Sequence, residues 1–454
     1  MSAVVDTDPP RTTPSVRLYR SIPALVRDPM AEIERLGRFS GELVRVDFGI
    51  FKAYLATHPD HVQQILRENA ENYRREGVAW RPLHRLFGDS VLGEGPDWEL
   101  SRKALQPVLT TRHIHSVTGR MAETINEAIE PLAGPARDGR PIDATREMAR
   151  IVNRTVLRVF FGDKISPAAN ARLAPAFDKV AKAVAFRFLL PFLPESIPVP
   201  GDRAFKDAVQ RIDDVLLPLI RRQRGVKDDS PDFFSALCHA RKADGGEVSE
   251  RWIRDNLVAM FATATETTVG ALTWLWPLLD GHPRVAARLY EEIDRVVGRD
   301  PVRAEHLPDL TYTRQVIQEV LRLYPVGWLF PRRAVTPTSL GAVPIEAGET
   351  VLLSPFLTHR LERFWDRPRA FDPDRFAAGR TPGGRRRHRY AYFPFGGGPH
   401  QCIGMHVFNT ESELIVAGLL RRFRPASCSA VPARPRIGPT LRPRRDVELT
   451  LRPI

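Results

Sequence analysis

The chain has 454 residues, 43% hydrophobic and 27% charged, a balance that excludes a disordered or fibrous protein. Three widely spaced cysteines (Cys238, Cys402, Cys428) form no Cys-x-x-Cys pair, which excludes a disulfide framework or zinc-finger pattern and fits a reducing compartment. The net charge of +13 comes from arginine, 59 of the 67 basic residues, without any nucleic-acid-binding signature, so an acidic protein partner explains it better than DNA or RNA.

Residues 1–20 are polar and contain proline but no apolar core. They read as a flexible segment ahead of one domain over 21–454, neither signal peptide nor membrane anchor. No run of about 18 uncharged apolar residues occurs, so no transmembrane helix is expected, and the cytoplasm is the expected compartment. Val44-Arg45-Val46-Asp47-Phe48 and Lys52-Ala53-Tyr54-Leu55-Ala56 read as a hairpin turning at Gly49-Ile50-Phe51. From 58 to 298 the pattern is helical and broken by prolines, with the proline-rich run 190–201 as a loop between two helices. Ser249 can cap a long helix running to about 279, and a shorter helix covers 315–323. Beyond 329, strand-like pieces return at Ser339-Leu340-Gly341 and Thr350-Val351-Leu352-Leu353. After Ala426 the chain is rich in proline and arginine. The expected fold is mainly α with a small β region.

The densest signal is Phe395-Gly396-Gly397-Gly398-Pro399-His400-Gln401-Cys402-Ile403-Gly404, a cysteine in a glycine-rich loop ahead of the apolar, helix-like stretch 407–420. Glycines let backbone approach a flat cofactor closely. Amides and a helix N-terminus converging on the sulfur would stabilise a thiolate, the axial ligand that pushes electron density onto a haem iron. Within the long helix, Phe261-Ala262-Thr263-Ala264-Thr265-Glu266-Thr267-Thr268 sets a carboxylate and hydroxyls in an apolar context, which is costly without partners. Hydroxyls bonded back to the preceding turn also bend a helix and open room for a small ligand. Glu319 and Arg322 share a helix face at i, i+3, as do Glu32/Arg35, Glu71/Arg74, Glu99/Arg102, Glu147/Arg150 and Glu292/Arg295. Most such pairs are ordinary surface pairs. Trp98 and Arg102, one turn apart, offer an indole N–H and a guanidinium on one face.

Taken together, these motifs resemble the cytochrome P450 superfamily. Phe395, Gly396, Gly398, Cys402 and Gly404 match the fixed positions of its haem-binding loop, with His400 two residues before the cysteine. Motifs from Trp98 to Glu411 occur in family order, so the resemblance covers nearly the whole chain. It implies a triangular helical prism enclosing one b-type haem (iron protoporphyrin IX), with Cys402 as the iron ligand and dioxygen as co-substrate. It further implies Glu266 and Thr267 as the acid–alcohol pair that delivers protons; Thr263-Ala264, where Ala-Gly is commoner, adds bulk near that groove. Arg375, in Pro373-Asp374-Arg375-Phe376, would join Glu319 and Arg322 in a buried structural lock. Trp98, Arg102, Arg332 and His400 would hold the haem propionates, with Arg333 able to substitute for Arg332.

The run Arg385-Arg386-Arg387-His388-Arg389 would border the face where a redox partner, a ferredoxin or flavodoxin with its reductase, docks. A solvated charge run is the alternative. Family position assigns the substrate pocket to Trp80, Phe87, Phe261, Thr263, Ala264, Val326, Trp328 and Leu329, with 190–200 as an entry lid. That lining is apolar and partly aromatic, without a counter-charge, so a lipophilic substrate is expected. Bacterial terpene hydroxylases look similar, and a polyketide, fatty acid or steroid stays open. The expected activity is monooxygenation by a monomer using electrons from NAD(P)H. A haem-thiolate isomerase or peroxygenase and a haem-based sensor are the alternatives, and the Glu266-Thr267 pair argues against both.

Overall fold

The computed structural model describes residues 14–17, 28–37, 43–47, 49, 52–77, 80–166, 168–169, 172–173, 175–177, 179–180, 196–226, 232–379, 387–429 and 433–454. Its longer helices are α1 (Pro29–Leu36), α2 (Arg81–Phe87), α3 (Pro96–Leu105), α4 (Thr111–Ile129), α5 (Ala144–Phe161) and α6 (Asp202–Arg224). These are followed by α7 (Phe233–Cys238), α8 (Glu250–Asp280), α9 (Pro283–Val296), α10 (Thr311–Leu323) and α11 (Met405–Leu420). Their starts follow local chemistry. Thr110, Asp143, Asp232 and Ser249 each accept a backbone N–H of the first turn of α4, α5, α7 and α8, and α2, α3 and α9 carry proline there.

Helix α8 is buried on nearly every side and packs against α5, α6, α10 and α11, so it forms the axis of the helical part. One large apolar cluster joins α4, α5, α8, α10 and α11. The β region is a six-stranded sheet in the order β1-β2-β3-β9-β6-β4. Its strands are β1 (Ser15–Arg17), β2 (Leu43–Asp47), β3 (Lys52–Ala56), β4 (Tyr73–Arg74), β6 (Phe330–Ala334) and β9 (Thr350–Leu353). The expected hairpin is β2–β3, with Leu43 opposite Ala56 and Asp47 opposite Lys52. Alternation splits its side chains between two smaller cores, with Leu43, Tyr54 and Ala56 in one and Val44, Val46, Ala53 and Leu55 in the other. Strands β5 (Ile142–Asp143), β10 (Phe423–Ser427) and β13 (Glu448–Pro453) make a second sheet. Two further hairpins are β7 (Thr338–Leu340) with β8 (Val343–Ile345), and β11 (Pro435–Arg436) with β12 (Arg442–Pro443). No helix among the described residues is long and apolar enough to cross a membrane.

Three local expectations need correction. Helix α10 begins at Thr311 rather than 315, because the Glu292 carboxylate of α9 caps it, accepting from the amides of Tyr312 and Thr313 at 2.6 and 2.8 Å and from both threonine hydroxyls. Glu292 is therefore a buried capping group and not half of a surface pair with Arg295. Of the segment 1–20, expected to be flexible, 1–13 and 18–20 lie outside the described set, but Ser15–Arg17 form β1, held by its ladder to β2; 190–195 also lie outside, whereas 196–201 form turns that lead into α6.

Candidate active site

The cysteine loop is shaped by what its glycines permit. Gly396 and Gly398 adopt φ of 68° and 64°, and a Cβ on Gly398 would stand 1.6 Å from the Leu66 carbonyl oxygen. No side chain fits there. The Cys402 amide donates to the Phe395 carbonyl at 2.8 Å, and α11 starts three residues later, after the Gly404 cap. Cys402 is exposed by surface area, yet the protein around its sulfur is dense enough that burial pushes the thiol up. The Gly404 amide and the charges of Arg102 and Arg75 pull it the other way.

Beside this loop lies a cluster of cations with too few anions. Arg102 donates to the Gln401 carbonyl at 2.7 Å, and the Trp98 indole stacks on His400 with centroids 4.2 Å apart. His400 Nε2 meets Glu94 Oε1 at 2.9 Å, and Glu94 Oε2 accepts the Arg75 amide at 2.7 Å. Arg75 donates from its guanidinium to the His400 carbonyl at 2.9 Å. Arg332 is 5% exposed, and among the described residues its guanidinium donates to the neighbouring Pro331 carbonyl alone, whereas Arg333 on the other strand face is exposed and reaches Gly348. Of the two candidates, Arg332 is the inward one. Burial pulls Arg75 down to about 9 and Arg332 down to about 10.

Glu94 is the carboxylate that acts on both Arg75 and Arg332, and Trp98 Nε1 and Arg75 Nε are buried with no acceptor among the described residues. Orphaned donors and uncompensated buried charge call for an anion. The two carboxylates of a haem, set against a loop that offers a thiol, fit that donor set. Arg75 was not visible in the sequence: β4 pairs with β6 in the register Tyr73–Ala334 and Arg74–Arg333, and this carries Arg75 toward Arg332. Trp80, expected in the substrate pocket, is flanked by Arg75 and Arg332 at 5.7 and 5.9 Å and donates to the Pro331 carbonyl at 3.1 Å.

On α8 the hydroxyls bond back along the helix, Thr263 to the Ala259 carbonyl and Thr267 to the Thr263 carbonyl, each at 2.7 Å. The Thr265 hydroxyl is buried with no partner among the described residues. Glu266 does not bond Thr267. Its Oε1 accepts the Thr440 hydroxyl at 2.7 Å and its Oε2 meets Arg442 Nη2, both from the hairpin β11–β12. One residue beyond Thr267, Thr268 is the polar neighbour of Glu411 of α11, a carboxyl that burial pushes up to about 8.

Glu319, Arg322 and Arg375 come together in the interior, 0%, 0% and 4% exposed. Glu319 accepts from Arg322 Nε at 2.7 Å, Arg322 Nη2 at 2.8 Å, Arg375 Nε at 2.9 Å and the Asp372 amide at 2.9 Å. Arg322 also donates to the carbonyls of His359, Pro368 and Ala370. His359 extends this network. Burial holds its imidazole well below the usual range, so it is neutral, and Nε2 accepts the Phe393 amide at 2.9 Å while Nδ1 meets the Arg322 carbonyl. The lock is thereby tied to the segment that leads into Cys402, a link sequence spacing could not reveal.

Among the pocket candidates, Phe261 stacks on Phe177 with centroids 4.1 Å apart, and Phe87 is buried in the same helical core. Val326 packs against α8 at Gly270, where an added Cβ would sit 3.3 Å from it. Thr263 and Ala264 are partly buried. Trp328 and Leu329 depart from expectation. They join the sheet-side core, and the Trp328 indole donates to the Gly438 carbonyl at 2.9 Å, because a buried N–H takes the nearest acceptor.

Of the arginine run, Arg385 and Arg386 lie outside the described residues. Arg387 is not a free surface charge: it sits 3.9 Å over the Trp365 ring, next to the lock, and donates to the Arg375 carbonyl. Arg389 is exposed and lines a groove beside the cysteine loop with Arg314, Gln318, Tyr392, Gln401 and Met405.

A helical body around α8, a thiol loop and a buried cation cluster define a haem-binding architecture. The chain belongs to the cytochrome P450 family, whose model matches residues 9–450. It is 32% identical over 418 residues to cyclooctatin synthase of Streptomyces melanosporofaciens, covering 91% of this chain and 88% of that one. It is 30% identical over 385 residues to pentalenene oxygenase of Streptomyces avermitilis, covering 85% and 84%. The crystal structure of the cytochrome P450DA heme domain superposes with a TM-score of 0.82 at 22% identity, over 97% of this chain and 98% of that one. The enzyme is a cytochrome P450 monooxygenase.

Proposed function

We propose that this monooxygenase oxidises a cyclic terpenoid. The observation that carries the reading is its kinship, over most of their length, with bacterial enzymes named for cyclooctatin and pentalenene chemistry. Phe87, Phe261 and Val326 all belong to the apolar helical core, a lining that would suit such a ligand, which brings shape but little charge. The screen that tests it adds pentalenene, cyclooctat-9-en-7-ol, a macrolide, a fatty acid and a steroid to the ferric protein. Pentalenene or the alcohol should shift the Soret band at the lowest concentration. A fatty acid or steroid binding tighter than both would overturn the terpenoid assignment.

Cys402 would ligate the iron of a b-type haem, and Arg75, Trp98, Arg102, Arg332 and His400 would hold its two carboxylates. Bound there, the haem supplies the chemistry of dioxygen activation. The residues do the rest. Apolar side chains exclude water from the reacting bond, and Glu266 and Thr267 bring protons to the dioxygen side. Thr267→Ala should keep haem and substrate binding but release most reducing equivalents as hydrogen peroxide, read as product formed per nicotinamide oxidised. Unchanged coupling would remove Thr267 from the mechanism.

Electrons would come from NAD(P)H through an acidic ferredoxin or flavodoxin docking over the groove at Arg389. Arg389→Gln should slow the first electron transfer at low salt and flatten its salt dependence, since such steering fades beyond a Debye length of ~8 Å at physiological ionic strength. Arg387→Gln should instead lower haem retention and thermal stability, because that guanidinium packs on Trp365. Equal effects of the two substitutions on the electron-transfer rate would put Arg387 back on the docking face.

A further inference from the structure

We infer that the tip of the hairpin β11–β12 is the positioning element for the proton-delivering acid, with Arg442 and Thr440 setting where the Glu266 carboxylate stands. This rests on the role given to Glu266 above. Thr440 lies in the bend at the hairpin tip and Arg442 begins β12. Both meet Glu266, one on each oxygen. Leu441 is fully buried, and its backbone is fastened twice: its amide donates to the Val326 carbonyl at 3.0 Å and its carbonyl accepts the Trp274 indole at 3.1 Å. Trp328 holds the tip a third time through Gly438. The hairpin therefore has a fixed position relative to α8, and the two donors it presents to Glu266 are fixed with it.

The pair itself adds little to stability. The Arg442 and Glu266 side chains are 29% and 32% exposed, and ion pairs this open contribute about 0–1 kcal/mol. What the contact does control is the direction of the carboxylate. With Oε1 held by Thr440 and Oε2 by Arg442, Glu266 faces the hairpin and not Thr267. To take a proton from water and pass it toward the Thr267 hydroxyl, one oxygen must leave its hairpin donor. Arg442 Nε is buried with no acceptor among the described residues, so the guanidinium has a donor to spare when the carboxylate turns. Partial exposure leaves water within reach of both groups.

The reaction that depends on this is balanced as follows. A substrate C–H bond, dioxygen, two electrons from the nicotinamide by way of the redox partner, and two protons yield a C–OH group and one water. If the O–O bond does not break, the same two electrons and two protons leave with both oxygen atoms as hydrogen peroxide. Loss of the hairpin donors should therefore change both the partition between these products and the sensitivity of turnover to solvent deuterium.

The test uses the full-length haem-loaded protein with pentalenene, comparing wild type with Arg442→Gln, Arg442→Lys, Thr440→Ala and Glu266→Gln. Coupling, peroxide yield and the solvent isotope effect on kcat are measured per haem. The C–O stretching frequency of the carbon monoxide complex reports polarity at the dioxygen side without turnover. Arg442→Gln should shift all four, Arg442→Lys should restore most of each, and Thr440→Ala should fall between. If Glu266→Gln alters coupling and isotope effect while Arg442→Gln leaves them at wild-type values, the hairpin inference falls and the role of Glu266 stands. If Glu266→Gln alters neither, the proton-delivery reading itself fails. A change in Arg442→Gln confined to haem content or thermal stability also overturns the inference, since it marks a purely structural contact.

Discussion

Cys402→His, reduced under carbon monoxide, should lose the strongly red-shifted Soret band of the wild type and, with it, all monooxygenase turnover. The band depends on a sulfur donor trans to the bound gas, because only the thiolate raises electron density on the iron enough to move it. The chain has no substitute. Burial pushes the Cys238 thiol up to about 12 in the helical core, and Cys428 follows β10 in the second sheet. An imidazole at 402 can bind iron, so haem content alone will not decide the question. The Soret position will. If the histidine variant keeps the red-shifted band, the assignment of Cys402 as ligand is wrong.

Glu319→Ala and Arg322→Ala should each yield almost no folded, haem-loaded protein. Arg322, fully buried, directs five hydrogen bonds inward, two to Glu319 and three to carbonyls. Removing Glu319 strands that charge, and Arg375 with it. A buried pair broken on one side costs about 3–5 kcal/mol, set against a total stability of about 5–15 kcal/mol. Asp138→Ala offers the contrast, since its pairing with Arg140 is 55% and 64% exposed and should cost about 0–1 kcal/mol. Soluble holoprotein yield and midpoint of thermal unfolding check both. Comparable losses at Asp138 and Glu319 would remove the distinction between lock and surface pair.

Much of the site could be read from the chain because its parts are local. The cysteine loop, the Thr263–Thr268 run, the Glu319/Arg322 face and the Trp98/Arg102 turn each lie within about ten residues, where spacing alone sets which side chains share a face. The long helix also declared its start through Ser249. What stayed hidden was tertiary. Arg75 enters the cation cluster only through β4–β6 pairing, and Glu292 starts α10 from a neighbouring helix. Trp328 turns toward the sheet because Gly438, 110 residues away, offers its carbonyl. Arg387 read as part of an exposed docking face, but Trp365 supplies a ring that covers it. The proline- and arginine-rich tail gave no hint that Thr440 and Arg442 would meet Glu266. Pattern reports which face a residue occupies, but not which distant element arrives there.

The close fit between Gly398 and the Leu66 carbonyl has a consequence for how the molecule is made. The packing of the loop against that carbonyl forms only after both are synthesised, and the nearby bond from Arg75 to the His400 carbonyl spans 325 residues of chain. On a ribosome adding about 5–20 residues per second, the early partner waits on the order of tens of seconds for the late one. Residues 64–75 must therefore leave the exit tunnel, remain soluble and resist proteases with their eventual contacts still unsynthesised. The segment is suited to that wait, with polar Gln64, Arg67, Glu68, Asn69, Glu71 and Asn72 around Ile65 and Leu66. Truncated nascent chains ending before 398 should accordingly be cleaved at 64–75 by a protease that spares the finished protein.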